Sequence, residues 1–458
     1  MRLFGTNGIR EVVGDKLTSS FVTQVANAIG GLNPPGAPIA VGWDGRTSSP
    51  DFARIVTGTL SLAGHQVVEL GVLPTPAIQY LVPRVGAQLG VIVTASHNPP
   101  EFNGLKLIAA DGLEATRDGE EAVERGVERA VVTSVSYDRI GEVRSYPDGA
   151  QQYIGGIVGQ VDRRRISERK FTVVLDCGNG ASVMTSPTLL RRLGCRVITL
   201  NGHLDGTFPG HLSEPTEANL KDLVQAVPAV GADLGIAHDG DADRAVFVDA
   251  RGTYLPGEKI LTLIARDIVE RKSGGVVVTP VSGSQSLEDV VVPLGGEVVY
   301  TRVGSPSVTR EMLRRRAVFG GEENGGLVFP NFQLARDGAM SAAALLDLLA
   351  RKEEPLAELV RDLPAYTMIK ERLSCPVELR EAVLARIAAE FRDEGSRVIS
   401  IDGVKAILEG GWILVRPSGT EPLIRVFAES HDAKRARELA DEALGRVRRA
   451  IHSESPAS

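Results

Sequence analysis

Three times in succession the chain repeats one pattern: a β-branched apolar run, a polar or glycine-containing loop, then a segment with helical periodicity. The runs at 39–42, 171–175 and 275–279 open the three regions, and helical stretches follow at 52–63 in the first and up to 193 in the second. Repetition of that kind predicts parallel βαβ units. Within each region a later run leads into a loop rich in chemistry-bearing side chains. The run at 90–93 enters Thr94-Ala95-Ser96-His97-Asn98-Pro99, that at 234–237 enters Asp239-Gly240-Asp241-Ala242-Asp243-Arg244, and that at 317–321 enters Glu322-Glu323-Asn324-Gly325-Gly326. Open α/β sheets hold their ligands at such strand ends.

After Pro364 the pattern changes to a strand at 367–374, a helix at 377–393, paired strands around 398–408 and 411–415, and a closing helix at 431–451. This fourth region reads as α+β with an antiparallel sheet. At 458 residues the chain exceeds the roughly 250 to 300 at which one hydrophobic core stops growing, so several domains are required. The expected fold is α/β: three consecutive similar α/β domains with mixed, mostly parallel sheets, at 1–147, 148–249 and 250–363, and a C-terminal α+β domain at 364–458. The Glu-, Arg- and Ala-rich stretch at 118–132 predicts a solvated helix, and 452–458 a short frayed tail.

Charge and cysteine usage exclude several functions. A formal net charge of -7 argues against nucleic acid or an anionic membrane as partner, so any anion site must be built locally. No apolar run approaches the roughly 18 residues needed to cross a bilayer, and the polar segment Phe4 to Arg10 follows the first residue too closely for a secretory leader. Cys177, Cys195 and Cys375 show no metal-ligand spacing and read as small buried hydrophobes of a reducing compartment, which predicts a cytoplasmic protein. The sequence pattern fixes no oligomeric state.

The aspartates Asp239, Asp241 and Asp243 alternate, so an extended loop turns them to one side and crowds negative charge that a cation would stabilise. Oxygen ligands beside a phosphate suit magnesium. An EF-hand is excluded, because its sixth and twelfth positions hold Arg244 and Ala250 instead of Gly and Glu. Ser96 lies in no Gly-x-Ser-x-Gly elbow, but opposite a metal a phosphorylated serine becomes intelligible, its phosphorus open to a sugar hydroxyl. His97 and Lys106, the latter in Asn103-Gly104-Leu105-Lys106, are neighbouring cations or proton carriers; taken singly, Lys106 reads more readily as a solvated loop lysine and His97 as a turn hydrogen-bonder. In Arg416-Pro417-Ser418-Gly419-Thr420, a guanidinium, two hydroxyls and a glycine face one anion, with Arg425 on the next strand. Glu322 and Asn324 can accept from and donate to adjacent sugar hydroxyls. His238 reads as structural.

Together these segments resemble the α-D-phosphohexomutase superfamily from Phe4 to Arg425, with the motifs in family order; Phe4 to Arg10, Asn103 to Lys106 and Asp205-Gly206-Thr207-Phe208-Pro209 are similar to its secondary signatures. The resemblance implies four domains around a central cleft. It implies that Ser96 is carried as phosphoserine, and that one Mg2+ is held by Ser96 with Asp239, Asp241 and Asp243. Arg10, Lys106 and His97 would assist proton and charge movement. Arg244, Glu322, Asn324, Arg416, Ser418, Gly419, Thr420 and Arg425 would bind a sugar phosphate, and a bisphosphorylated sugar would be intermediate and activator of an exchange between the 1- and 6-positions. Many members carry Gly-Glu-Met-Ser-Gly-His in the sugar loop, where Asn324 and Gly326 stand here. That departure most resembles the archaeal-type phosphoglucosamine mutases and their phosphoglucomutase/phosphomannomutase relatives. A serine-dependent phosphomonoester hydrolase and a non-catalytic sugar-phosphate-binding protein are the rival readings. The first has no obvious need of the Arg416 loop, and the second none of an intact Ser96.

Overall fold

In the computed structural model of the chain, which describes residues 2–5, 7–418 and 422–454, every β-branched run named above is a strand. The first sheet has six strands, in the order Ile9–Val12, Phe102–Ala109, Leu89–Val93, Pro38–Trp43, Gln66–Val72, Val143–Ser145. Pro38–Trp43 pairs in parallel with both neighbours, whereas Phe102–Ala109 runs antiparallel to both of its own. Helices Ser19–Leu32 and Ser49–Leu62 supply Val22, Val25, Ile29, Phe52, Val56 and Leu60 to a core shared with Ile39, Val41, Val67, Val91 and Val93. Each such side chain contributes about 1.5–3 kcal/mol of burial. The Thr18 hydroxyl caps the first helix by accepting from the N–H of Phe21.

Helix Arg117–Glu128 corrects the expectation of a merely solvated segment. Its Val123 and Glu124 are buried, and the Glu124 carboxylate accepts the N–H groups of Leu3 and Phe4 while pairing with Arg117. Composition concealed this, because one buried glutamate among half-buried and exposed ones leaves no periodic mark.

The second sheet orders Tyr254–Leu255, Ala245–Asp249, Leu234–His238, Thr172–Asp176, Arg196–Leu200. Thr172–Asp176 is parallel to its neighbours, but Leu234–His238 and Ala245–Asp249 are antiparallel, with His238 opposite Ala245. The aspartate loop is therefore the connection of a β-hairpin. In the third region Gly275–Pro280 pairs in parallel with Gly296–Thr301 and Phe319–Gly321, and Leu327–Phe329 pairs antiparallel with Gln333–Arg336. Helix Gly338–Lys352 follows, capped by the side chain of Asp337.

The fourth sheet is wholly antiparallel: Thr367–Ser374, Leu423–Ser430, Gly411–Pro417, Val404–Leu408, Arg397–Ile399. Helices Arg380–Asp393 and Ala433–Glu454 cover one face through Val383, Ile387, Phe391, Leu439, Leu444 and Val447, packed on Val415, Ile424 and Val426. The closing helix reaches Glu454, so 452–454 are helical and not frayed.

The described residues form two compact units, 1–264 with 324–360 and 265–323 with 361–458, a division that cuts the third region. All three cysteines are free and buried, and burial pushes the Cys177 and Cys195 thiols up to about 12. Among the described residues no helix is long and apolar enough to cross a membrane.

Candidate active site

Ser96 follows strand Leu89–Val93 with a left-handed backbone, φ 52°, and is fully buried. An alanine-like residue resists that conformation, so the surroundings must impose it. They do so through Asp44 and Arg46, on the loop after strand Pro38–Trp43. The Asp44 carboxylate accepts from the hydroxyls of Thr94 and Ser49, each at 2.6 Å, and the Thr94 hydroxyl accepts from the Ser96 N–H at 2.9 Å. The buried Arg46 guanidinium donates to the carbonyls of Ser96, Asn98, Pro99 and Phe102 at 2.6–2.9 Å. Sequence reading gave these two residues no role. The trace they leave is an aspartate and an arginine bracketing a glycine directly after a buried strand.

The Ser96 hydroxyl donates to Asp239 Oδ2 at 3.0 Å. Gly240 packs against the same serine: a Cβ there would lie 2.6 Å from the Ser96 carbonyl oxygen. Asp239, Asp241 and Asp243 are all buried, and one carboxylate oxygen from each lies within 4.8 Å of the others. Burial, then repulsion by Asp243 and Asp241, drives the Asp239 carboxyl well above its ordinary value. Burial pushes Asp241 the same way, but the Lys106 ammonium at 2.8 Å and the Thr75 hydroxyl at 2.7 Å outweigh it and hold Asp241 below the carboxylate range. Asp241 Oδ1 and Asp243 Oδ1 are buried with no hydrogen-bond partner. Buried bare carboxylate oxygens are costly, and a hard cation bound by them would relieve both that cost and the repulsion on Asp239. The donor set thus fits a magnesium-like ion.

Lys106 is buried in strand Phe102–Ala109, not solvated on a loop as its isolated sequence reading allowed. Gly104, two residues earlier, faces Arg10 across the antiparallel pair, and a Cβ at Gly104 would come within 1.9 Å of the Ile9 carbonyl. Arg10 donates to the Asn98 side chain at 3.0 Å. Burial lowers its pKa from the usual arginine value, against the attraction of Asp241. His97 sits among these charges, and burial, with Arg244 and Arg10 nearby, pushes its imidazole down to about 2. The ring is neutral in this arrangement. Arg244 donates its backbone N–H to Asp239 and lies 3.7 Å from both Asp243 and Glu214. His238, buried between the Arg244 carbonyl and Ser186, is structural as expected.

Asn324 accepts the Gly326 N–H in a tight turn, and the Gly325 carbonyl accepts from Ala245, the residue after Arg244. Strand Gln333–Arg336 then brings in a cation that sequence reading missed. The Arg336 guanidinium donates to Asp243 Oδ2. The segment is seated by Gly338, where a Cβ would meet the Arg244 carbonyl at 2.4 Å.

Glu322, Arg416, Ser418 and Arg425 belong to the other compact unit. There Glu322 accepts the Gly304 N–H at 3.0 Å, Asp402 accepts the Val303 N–H at 3.2 Å, and Arg416 is paired with that same Asp402 carboxylate at 3.0 Å. The two loops are thereby joined. Arg416 stands opposite Arg425, which stands opposite Arg372 on the next strand, so three arginines form one row. Alternation with buried Val415, Ile424 and Val426 places the row on the face away from the helices. Ser418 is buried, its carbonyl accepting from Arg380. Gly419 and Thr420 lie outside the described residues.

Four family models match in order: phosphoglucomutase/phosphomannomutase alpha/beta/alpha domain I at residues 1–132, domain II at 151–252, domain III at 256–366, and the C-terminal domain at 373–445. The chain belongs to the phosphoglucomutase/phosphomannomutase family. A phosphoglucomutase/phosphomannomutase of Thermococcus kodakarensis is 38% identical over 96% of this chain and 97% of its own length. A probable phosphoglucosamine mutase of Pyrococcus furiosus is 40% identical over 98% of each. The crystal structure of a family protein from Burkholderia thailandensis, 28% identical, superposes with a TM-score of 0.86 over 100% of this chain and 98% of that one. As a member of this family the chain is an enzyme of the isomerase class, a phosphohexomutase.

Proposed function

We propose that the enzyme interconverts glucosamine 6-phosphate and glucosamine 1-phosphate, with Ser96 carried as phosphoserine. The observation that supports this best is the Ser96 hydroxyl, buried at φ 52° and directed at Asp239 beside two bare carboxylate oxygens. Lys106, Arg10, Arg244 and Arg336 gather around three aspartates, an excess of positive charge that suits a further anion at Ser96. Asp239, Asp241 and Asp243 would hold one Mg2+ with the Ser96 phosphate, and the ion would neutralise that phosphate toward nucleophilic attack.

In the forward half-reaction the free sugar hydroxyl attacks phosphorus, the bond to Ser96 Oγ breaks, and the hydroxyl proton ends on the departing Ser96 oxygen. The product is a bisphosphorylated sugar and a free serine. After the sugar turns over, Ser96 Oγ takes its other phosphoryl group and the enzyme is restored. Lys106, held at 2.8 Å from Asp241, and Arg10, on Asn98 of the serine loop, stabilise the moving charge. The neutral imidazole of His97, too weak a base to hold the proton, can only relay it, one ring nitrogen donating as the other accepts. Arg244 positions the substrate at the aspartate loop, and Glu322 and Asn324 grip its hydroxyls. Arg416, Ser418, Gly419, Thr420 and Arg425 hold the phosphate that does not react, and a row of guanidinium groups that reads charge accepts either end of the bisphosphate. The proposed domains are 1–147, 148–249, 250–363 and 364–458, and the reducing interior implied by three free cysteines is a cytoplasm.

A second reading, glucose and mannose phosphates at equal rank, is favoured by Asn324, whose amide both donates and accepts and so tolerates equatorial and axial hydroxyls. Coupled assays on glucosamine, glucose and mannose 1-phosphates test the choice. The glucosamine reading predicts the highest kcat/KM for glucosamine, and equal values on all three defeat it. Ser96→Ala should abolish turnover on each sugar while leaving sugar-phosphate binding measurable; full turnover would remove the phosphoserine route.

A further inference from the structure

Each of two aspartates in the triad has one oxygen held by a buried cation and one that accepts no hydrogen bond, the free oxygen of Asp243 lying 3.7 Å from Arg244 Nε. Asp241 Oδ2 accepts from Lys106 Nζ at 2.8 Å and from the Thr75 hydroxyl at 2.7 Å, whereas its Oδ1 has no partner. Asp243 Oδ2 accepts from Arg336 and lies 3.7 Å from Lys106 Nζ, and its Oδ1 has no hydrogen-bond partner either. The arrangement is fixed from both sides. Thr75 ties its backbone N–H to the Asp241 carbonyl as well, and Arg336 is followed by Asp337, which caps the next helix and binds Tyr153 at 2.6 Å. The remaining aspartate, Asp239, divides its oxygens between the Arg244 N–H and the Ser96 hydroxyl.

From this division of oxygens we infer that Arg336 and Lys106 are denticity locks: each occupies the second oxygen of an aspartate, so that Asp243 and Asp241 can offer a cation only one oxygen apiece. The inference rests on the proposed metal site and deepens it by assigning the cation's selectivity to residues that do not touch the ion. A small hard ion such as Mg2+ needs few, singly bound carboxylates and keeps waters, while Ca2+ gains affinity from bidentate carboxylates and a larger ligand number. Blocking the second oxygens therefore penalises the larger ion. Outer partners of ligands set orientation and typically change metal affinity 10- to 100-fold. Arg336 is a positioning residue in this scheme, since it acts through Asp243. Sequence spacing could not reveal it, because Arg336 lies far along the chain from Asp243 and precedes a helix cap that reads as ordinary.

Calorimetric titration of the full-length, unphosphorylated chain with MgCl2 and with CaCl2 tests the lock. For Arg336→Gln, which keeps a donor but removes the charge and the fork, the Mg2+ to Ca2+ affinity ratio should fall about 10-fold relative to wild type. Arg336→Lys should restore part of it. A ratio unchanged within about twofold, whether both affinities fall together or neither moves, overturns the inference while leaving the metal site standing. Failure of the wild-type chain to bind either ion overturns the metal site and the inference together. A second measurement needs no variant: metal-minus-apo infrared difference spectra of the wild-type chain separate singly from doubly bound carboxylates by the spacing of their two stretching bands. Singly bound carboxylates with both ions are expected. Bidentate bands with Ca2+ contradict the lock even if no Arg336 variant folds.

Discussion

Ser96 and Arg416 both stand at the ends of strands and both face anions in the proposed reaction, yet their settings differ in kind. Around Ser96 the loop itself is fully tied: the serine carbonyl by Arg46, its N–H by Thr94, its hydroxyl by Asp239, while Lys106, Thr75 and Arg336 hold one oxygen each of the neighbouring Asp241 and Asp243 carboxylates. Around Arg416 like charges are stacked across three strands, with Asp402 as a carboxylate partner of the first. Like charges directly opposite one another cost stability unless an anion joins them. The contrast separates two tasks. Bond-making tolerates displacements well under an ångström, so its loop is locked by interactions that are present before substrate arrives. Holding a distant phosphate needs charge more than shape, and a row of arginines supplies it with little added structure.

The largest effect that tests this contrast is expected from Lys106→Met. It leaves Asp241 buried without its cation and should cost about 3–5 kcal/mol in chemical unfolding, with turnover down by about 10^3-fold or more. Retention of wild-type stability would break the idea of a pre-locked site. Gly240→Ala comes next. Its methyl group would stand 2.6 Å from the Ser96 carbonyl, so a loss of about 1–3 kcal/mol and a fall in kcat of about 10^2-fold are expected, and a variant as active as wild type would show the serine loop to be forgiving. Arg425→Ala sits on the other side of the comparison. Its kcat/KM should drop by about 10- to 100-fold, chiefly through KM, while unfolding free energy moves by less than about 1 kcal/mol. A large stability loss there would erase the distinction.

Smallest is Glu124→Gln, in helix Arg117–Glu128. Burial pushes the Glu124 carboxyl up, but the N–H groups of Phe4 and Leu3 and the Arg117 guanidinium outweigh it and hold the group below its ordinary value. A carboxyl lowered on folding adds stability above its unfolded pKa of about 4.3 and loses it as pH falls through the folded value. The wild type should therefore exceed the variant by about 1 kcal/mol near neutral pH, and the gap should close below about pH 4. A gap that persists in acid would show the contact to be packing and not charge.

Much of this was legible in the chain because it is local. Strand runs, the antiparallel C-terminal sheet and the spacing of Asp239, Asp241 and Asp243 follow from side-chain alternation within a few residues. So do Ser96 and the Arg416 loop, each placed at a strand end by the same pattern. What stayed hidden is the support. Arg46 clamps a loop some 50 positions away, Thr75 reaches Asp241 from the start of helix Thr75–Leu81 and Arg336 reaches Asp243 from the end of a strand, and Glu124 secures residues near the start of the chain. Such contacts carry no periodicity, since a buried arginine and a solvated one are spelled alike. The aspartate loop also proved to be a hairpin connection and Lys106 a strand residue, two local geometries set by tertiary pairing.

Peptide mapping by mass spectrometry of the purified chain, before and after exposure to a hexose bisphosphate with Mg2+, probes the phosphoryl-carrying serine most directly. A phosphoryl group on Ser96, present in the active protein, transferred to added hexose monophosphate and regained from the bisphosphate at the pace of turnover, is the predicted result. Full turnover by a chain whose Ser96 never carries phosphate would contradict it.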